Sequence, residues 1–158
     1  MARIHISFSG DIVKRGFWVY VWRIKHKSGD YFYVGRTGDS SSVNAASPMS
    51  RMSAHFSRNP KGNALKRNLL HKGVEMEDCT FEYHCFGPLM EEKDTWEAHR
   101  KARDLVATVE LNVAEHLKRK GHQVIGQHQL TRKSDDSNVI RFTEEISDSL
   151  DQILECRK

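Results

Sequence analysis

The sequence predicts an α/β fold in which a small three-stranded antiparallel sheet is flanked by helices, with an extra helix at the C-terminus. Two segments rich in aromatic and β-branched residues, 17–25 and 31–36, are separated by a Ser-Gly-Asp turn signal at 28–30 and should pair as a hairpin. An alternating segment, 79–86, supplies the third strand. The stretches between and after these segments are typical of helices, an order that favours a small layered α/β domain.

Three helices are predicted in that domain from their start signals and periodicity. Ser47 followed by Pro48 is an N-cap with proline at the first helical position, which predicts a helix to about residue 58. A second, short helix is predicted over 64–71 and a long one over 93–120, each followed closely by a glycine.

The chain is expected to form one domain with an appendage. Residues 1–131 make up the domain, with its motifs in 17–126, and 122–125 form a short extended piece after the long helix. Residues 132–138 are polar and linker-like, and 139–158 form an amphipathic helix. Because an exposed apolar stripe needs a cover, we expect this helix to dock on its own domain. Pairing with another copy and shielding of a basic surface are the alternatives.

Composition excludes several classes of protein. The 158 residues carry a net charge of +4 and contain no apolar run long enough to span a bilayer. The first residues lack the apolar segment of a signal peptide, so a cytoplasmic protein is expected. Three cysteines, Cys79, Cys85 and Cys156, lack the spacing of a zinc site and are expected to be buried free thiols.

Positive charge is concentrated in one interval. Residues 40–74 contain no acidic side chain, and such a single-sign field suits a polyanion, most simply nucleic acid. A solvated basic face without a partner is the alternative. The predicted nucleic-acid-binding residues in this interval are Arg58, Lys61, Lys66, Arg67 and Lys72.

Two tyrosines in the predicted hairpin are candidates for proton transfer. Tyr20 lies in the first strand and Tyr33 in the second, two residues before Gly35. A phenol has a pKa of about 10 and is a poor base unless cations lower that value, a field that Arg23, Arg36 and Arg51 could supply. Two tyrosines that merely pack in a core are the alternative.

A second candidate pair lies on the first predicted helix. Arg51 and His55 are four residues apart and therefore share a face. The apolar stripe of this helix is expected to place His55 at the rim of the core and Arg51 further towards solvent. The alternative is a solvated basic face.

Glu110 is the candidate metal ligand on the long helix. It projects roughly 80° from the centre of the apolar stripe, whereas Glu97 and Glu115 project roughly 140° away. A carboxylate at the edge of a core costs free energy unless it is paired or metal-bound. A salt bridge to a nearby arginine or lysine is the alternative to a metal.

These segments, Trp18-Val19-Tyr20 and Tyr33-Val34-Gly35 with Arg51 and His55 following them, resemble the motifs of the GIY-YIG nuclease family. The second triplet differs from that of the family only in its middle residue, and the first shares only its tyrosine. The family's metal-binding glutamate corresponds to Glu110.

The resemblance implies an endonuclease that hydrolyses DNA with one divalent cation, Mg²⁺ or Mn²⁺, and leaves a 5′-phosphate and a 3′-hydroxyl. DNA is then the expected partner, and a monomer is favoured. Together with the residue analysis above, it assigns Tyr20 as general base, Tyr33 as its support, Arg36 and Arg51 as phosphate ligands, His55 as a proton or hydrogen-bond partner and Glu110 as metal ligand.

One departure from the family motivates an alternative. The family has an asparagine that supports the site after the last turn, where this chain has Gly126; Gln127 and Asn112 are candidates to replace it. The alternative is a catalytically silent nucleic-acid-binding module of the same fold. A regulatory or assembly protein that acts through its C-terminal helix is a third possibility.

Overall fold

A four-stranded sheet lies at the centre of the structure, a computed structural model that describes residues 3–39, 42–57, 63–128, 130 and 132–156. The strand order is β3-β1-β2-β4, with antiparallel pairing except between β2 and β4, which are parallel. The strands are β1 (Phe17–His26), β2 (Gly29–Arg36), β3 (Thr80–Met90) and β4 (Gln123–Val124).

Within the described residues, four α-helices accompany the sheet. The first begins as predicted, because the Ser47 side chain accepts a hydrogen bond from the Ser50 N–H and Pro48 takes the first helical position. The Asn63 side chain caps the second in the same way by accepting from the Lys66 N–H. The helices are α1 (Pro48–His55), α2 (Ala64–Leu70), α3 (Trp96–Arg119) and α4 (Asn138–Glu155).

The alternation of β1 and β2 divides the core between the two faces of the sheet. Val19 and Val34 pack with the apolar stripe of α3 on one face. Tyr20 and Trp22 pack with α2 on the other face. The two faces therefore differ in composition: the core under α3 is mostly aliphatic, and the core under α1 and α2 is richer in tyrosine and tryptophan.

The C-terminal helix docks on its own domain, which confirms that expectation. Phe142, Ile146 and Leu150 of α4 are buried in the same core as the stripe of α3. Asp151 adds a hydrogen bond with His116 and an ion pair with Lys120 at the end of α3. Because α4 lies in the α3 layer, its acidic face does not cover α1 or α2.

The coarse α/β class is correct, but the sheet differs from the prediction in two details. A fourth strand, β4, pairs parallel to β2 and is extended by a hydrogen bond from the Ile125 N–H to the Phe32 carbonyl (2.8 Å). Two residues are too few to show an alternation signal. In addition, β3 continues through Gly87-Pro88, which was predicted to end it, to Met90.

Two further findings concern the cysteines and the possibility of a membrane-spanning helix. The three cysteines are free, but Cys79 and Cys85 are only half-buried and Cys156 is exposed, so the expectation of buried thiols is wrong. Across the described ranges, no helix combines the length and apolar composition needed to cross a bilayer.

The docking of α4 predicts a contrast between two isoleucines on the same helix. Ile146 is 3% exposed and Ile140 is 64% exposed. Ile146→Ala should lower the free energy of unfolding by about 2–5 kcal/mol, because it leaves a cavity against α3. Ile140→Ala should change it by less than about 0.5 kcal/mol. Urea denaturation of both variants measures this, and equal losses would contradict the docking.

Candidate active site

A buried hydrogen bond joins the first tyrosine to the histidine of α1. The Tyr20 Oη atom lies 2.9 Å from the His55 Nε2 atom, and the two residues are 1% and 5% exposed. The prediction that His55 emerges at the rim of the core is therefore wrong. Its ring makes edge-on contacts with Trp22 and Tyr33, aromatic side chains from two strands that close over it.

Gly35 makes room for the Tyr20 ring. The antiparallel register sets Tyr20 directly opposite Gly35, and a Cβ atom at Gly35 would overlap the phenol ring. The glycine is required for space at this point. It leaves space for the Tyr20 ring to pack against β2 and for its hydroxyl to contact His55 of α1.

Arg51 and Asp39 add charge beside the phenol. The Arg51 Nη2 atom lies 2.6 Å from the Asp39 Oδ2 atom, and the arginine side chain is 31% exposed. Arg51 is near enough to Tyr20 for its charge to lower the phenol pKa, in opposition to burial. Sequence analysis missed Asp39; its only signal was its position as the last acid before the acid-free interval.

The environment sets the resting protonation of this pair. Burial raises the pKa of Tyr20 well above its usual range. Burial, and then the positive charge of Arg51, lower the pKa of His55 to about 4. At neutral pH the pair is thus a phenol beside a neutral imidazole, so the imidazole has a lone pair to accept a proton.

Tyr33 stands between this pair and a cleft. Its ring centroid lies 5.2 Å from that of His55. On its other side it faces Gly126, where an added Cβ atom would come within 3.2 Å of the Tyr33 ring and where φ is +98°. Both conditions favour glycine at 126. Burial raises the pKa of Tyr33 to about 12, and the Glu110 carboxylate adds to this effect.

Glu110 forms an ion pair with Arg36 across the α3 face of β2. Its Oε2 atom contacts the Arg36 Nη1 atom, and the residue is 7% exposed. Glu110 is thus more buried than the expected position at the edge of the core, and the salt bridge that was the alternative to a metal is present. Burial raises the pKa of Glu110, and the charge of Arg36 opposes that rise. Glu97 and Glu115 instead lie on the surface and pair with lysines of their own helix.

A cleft of about 360 Å³ brings Tyr33 and Glu110 to a common surface. One of its walls is the segment that follows β4, and the other is α2. Sequence analysis named Tyr33, Glu110 and Arg67 but missed His128, because no motif or periodicity marks a loop residue of this kind. The remaining lining residues are Val34, Ala64, Arg67, Asn68, His71, Gly126, Gln127 and His128.

The predicted nucleic-acid-binding residues divide into three groups. Arg67 is exposed and lines the cleft, so it shares a surface with Tyr33 and Glu110. Lys66 and Lys72 lie on α2 and just after it, outside the cleft lining. Arg58 and Lys61 lie outside the described residues. Arg67 is therefore the member of the set that the structure brings to the site.

Glu110 remains the candidate metal ligand. Within the part of the chain that the structure describes, no group of three or more His, Cys, Asp or Glu side chains is arranged to hold a metal ion. Comparison of the chain with protein-family models, curated proteins and solved structures gives no match. Functional interpretation therefore depends on the geometry of the site.

The buried neutral His55 predicts a pH dependence of stability. The unfolded chain binds a proton at this residue below about pH 6.5, whereas the folded chain does not until about pH 4. As the pH falls from 6.5 to 4, this group should therefore remove about 3 kcal/mol from the free energy of unfolding. His55→Gln, which keeps a hydrogen-bonding group near Tyr20, should lose less stability over that range.

Chemical denaturation of both proteins at pH 7, 5.5 and 4 measures the difference. Parallel decreases in the two proteins would show that His55 does not stay neutral when buried.

Proposed function

We propose that the protein is a metal-dependent endonuclease of the GIY-YIG type that hydrolyses DNA phosphodiester bonds. The observation that carries this proposal is the buried Tyr20–His55 hydrogen bond beside Arg51. Residues 35 positions apart converge there on one proton-transfer pair. A core role alone does not require a phenol, an imidazole and a guanidinium to meet in one place.

The protonation states suit water activation. Tyr20 would take a proton from the attacking water while its own phenolic proton passes to the neutral His55 Nε2 atom. The hydroxide oxygen then bonds to phosphorus as the bond from phosphorus to O3′ breaks. The products are a 5′-phosphate and a 3′-hydroxyl, and the O3′ atom takes up a proton from solvent. Transfer along this hydrogen bond avoids a free phenolate, which burial disfavours.

Two arginines are available to bind the scissile phosphate. Arg51 and Arg36 are each held by one carboxylate, Asp39 and Glu110 respectively. A guanidinium has five N–H donors in a fixed fork, so each arginine can keep its carboxylate and still offer donors to a phosphate oxygen. The ion pairs would then orient the phosphate ligands before DNA binds.

Glu110 is the residue that would hold the divalent cation. It is a buried carboxylate at the cleft, where burial favours its neutral form and a bound cation would favour the charged form. The ion pair of Glu110 with Arg36 is made through its Oε2 atom. When bound, the cation would stabilise the negative charge that develops on the phosphate in the transition state.

A second candidate function is a catalytically silent nucleic-acid-binding module. Two observations favour it: Gly126 stands where the family has its supporting asparagine, and Glu110 is already neutralised by Arg36. In that case Arg36 and Glu110 form a structural ion pair. Arg67, Lys66 and Lys72 would still bind the DNA backbone.

Two glutamates of α3 provide a matched test of the nuclease proposal. Glu110→Gln should slow the nicking of supercoiled plasmid in Mg²⁺ by about 10²-fold or more, because it removes the charge that holds the cation. Glu115→Gln changes an exposed residue of the same helix and should cut at the wild-type rate. DNA binding by both variants should match that of the wild type in a mobility-shift assay.

If the wild type binds plasmid, flapped and branched DNA but cuts none of them in Mg²⁺ or Mn²⁺, the silent module is the correct reading. If Glu110→Gln cuts as fast as the wild type, Glu110 is not the metal ligand.

A further inference from the structure

His128 is anchored on the strand that carries Tyr33. Its Nε2 atom lies 3.0 Å from the backbone carbonyl oxygen of Val34, the residue after Tyr33. A carbonyl oxygen only accepts hydrogen bonds, so the Nε2 atom must carry the proton. In the neutral ring, the other nitrogen, Nδ1, is therefore the one with a free lone pair.

This Nδ1 atom is buried and has no hydrogen-bond partner among the residues that the structure describes. A buried polar atom without a partner costs free energy, and such an atom in a native structure calls for a water or an ion beside it. Among the described residues, His55 and His99 also have an Nδ1 atom without a partner, but His128 is the one of the three that lines the cleft with Glu110.

His128 and Glu110 line the same cleft. An imidazole that ligates a metal characteristically donates its other N–H to a backbone carbonyl or carboxylate, which fixes the tautomer and the direction of the ligating nitrogen. The contact with the Val34 carbonyl has this form.

We infer that the His128 Nδ1 atom and the Glu110 carboxylate together bind the divalent cation of this site. The inference rests on the proposed function and adds a nitrogen ligand to its metal. Water and the substrate phosphate would complete the coordination. Because Mg²⁺ strongly prefers oxygen ligands and Mn²⁺ accepts imidazole more readily, a mixed set of this kind should bind Mn²⁺ more tightly than Mg²⁺.

Titration calorimetry of Mn²⁺ and of Mg²⁺ into the full chain tests the ligand set. His128→Ala should weaken Mn²⁺ binding by about 10-fold or more, since losing even an outer partner of a ligating imidazole has an effect of that size. It should also reduce the preference for Mn²⁺ over Mg²⁺. His71→Ala is the matched control, because His71 lines the same cleft but is exposed, and it should bind both ions as the wild type does.

Pulsed electron paramagnetic resonance of the wild-type protein with Mn²⁺ gives a second readout that needs no variant. A bound imidazole should produce a ¹⁴N coupling, and its absence from the wild-type spectrum would overturn the inference even if His128→Ala does not fold. The coupling should persist in His71→Ala and disappear in His128→Ala. Thermal melting shows whether loss of the Val34 contact has unfolded the variant.

The outcomes separate the two proposals. If His128→Ala keeps wild-type Mn²⁺ affinity while the wild type cuts DNA and Glu110→Gln does not, the His128 ligand is wrong and the nuclease stands. If the wild type neither binds Mn²⁺ nor cuts DNA, both are wrong. Weakened Mn²⁺ binding in both His128→Ala and Glu110→Gln, but not in His71→Ala, supports the shared site.

Discussion

The candidate site depends on one contact, the buried hydrogen bond between Tyr20 and His55. It requires a tyrosine on the central strand, a glycine opposite it on β2 and a helix that ends at the histidine. These requirements concern space and position, whatever chemistry the site performs. A Cβ atom at Gly35 would occupy the space of the phenol ring. The N-cap at Ser47 stabilises the first turn of the helix that carries His55, so its loss would leave His55 less well positioned.

The sheet separates the two halves of the site. Alternation along β2 sends Tyr33 towards the aromatic face with His55, and Arg36 towards α3 with Glu110. The two halves come together at the cleft, which is lined by both Tyr33 and Glu110. Proton transfer and cation binding would thus occur on opposite sides of Tyr33. This explains why the Glu110 carboxylate raises the pKa of the Tyr33 phenol while the Tyr33 ring contacts that of His55.

Periodicity predicted the features that repeat, and missed those that do not. The alternation of β1 and β2 and the position of Glu110 beside the α3 stripe follow from many residues acting together. The burial of His55 escaped prediction because it depends on Trp22 and Tyr33, which come from two other elements. β4 has two residues, and His128 is held by a carbonyl 94 positions away, so neither leaves a local signal. The nuclease assignment itself stays a prediction.

The central claim is that the Tyr20 hydroxyl takes part in the chemistry and does not merely fill the core. Tyr20→Phe removes only the hydroxyl group that is hydrogen-bonded to His55. Tyr31→Phe is its matched control, a buried tyrosine of the same sheet whose hydroxyl bonds to Ser28. In a plasmid-nicking assay with Mn²⁺, Tyr20→Phe should cut about 10²-fold more slowly or worse and Tyr31→Phe within a few-fold of the wild type, with DNA affinity unchanged in both. Wild-type cutting by Tyr20→Phe would contradict the account.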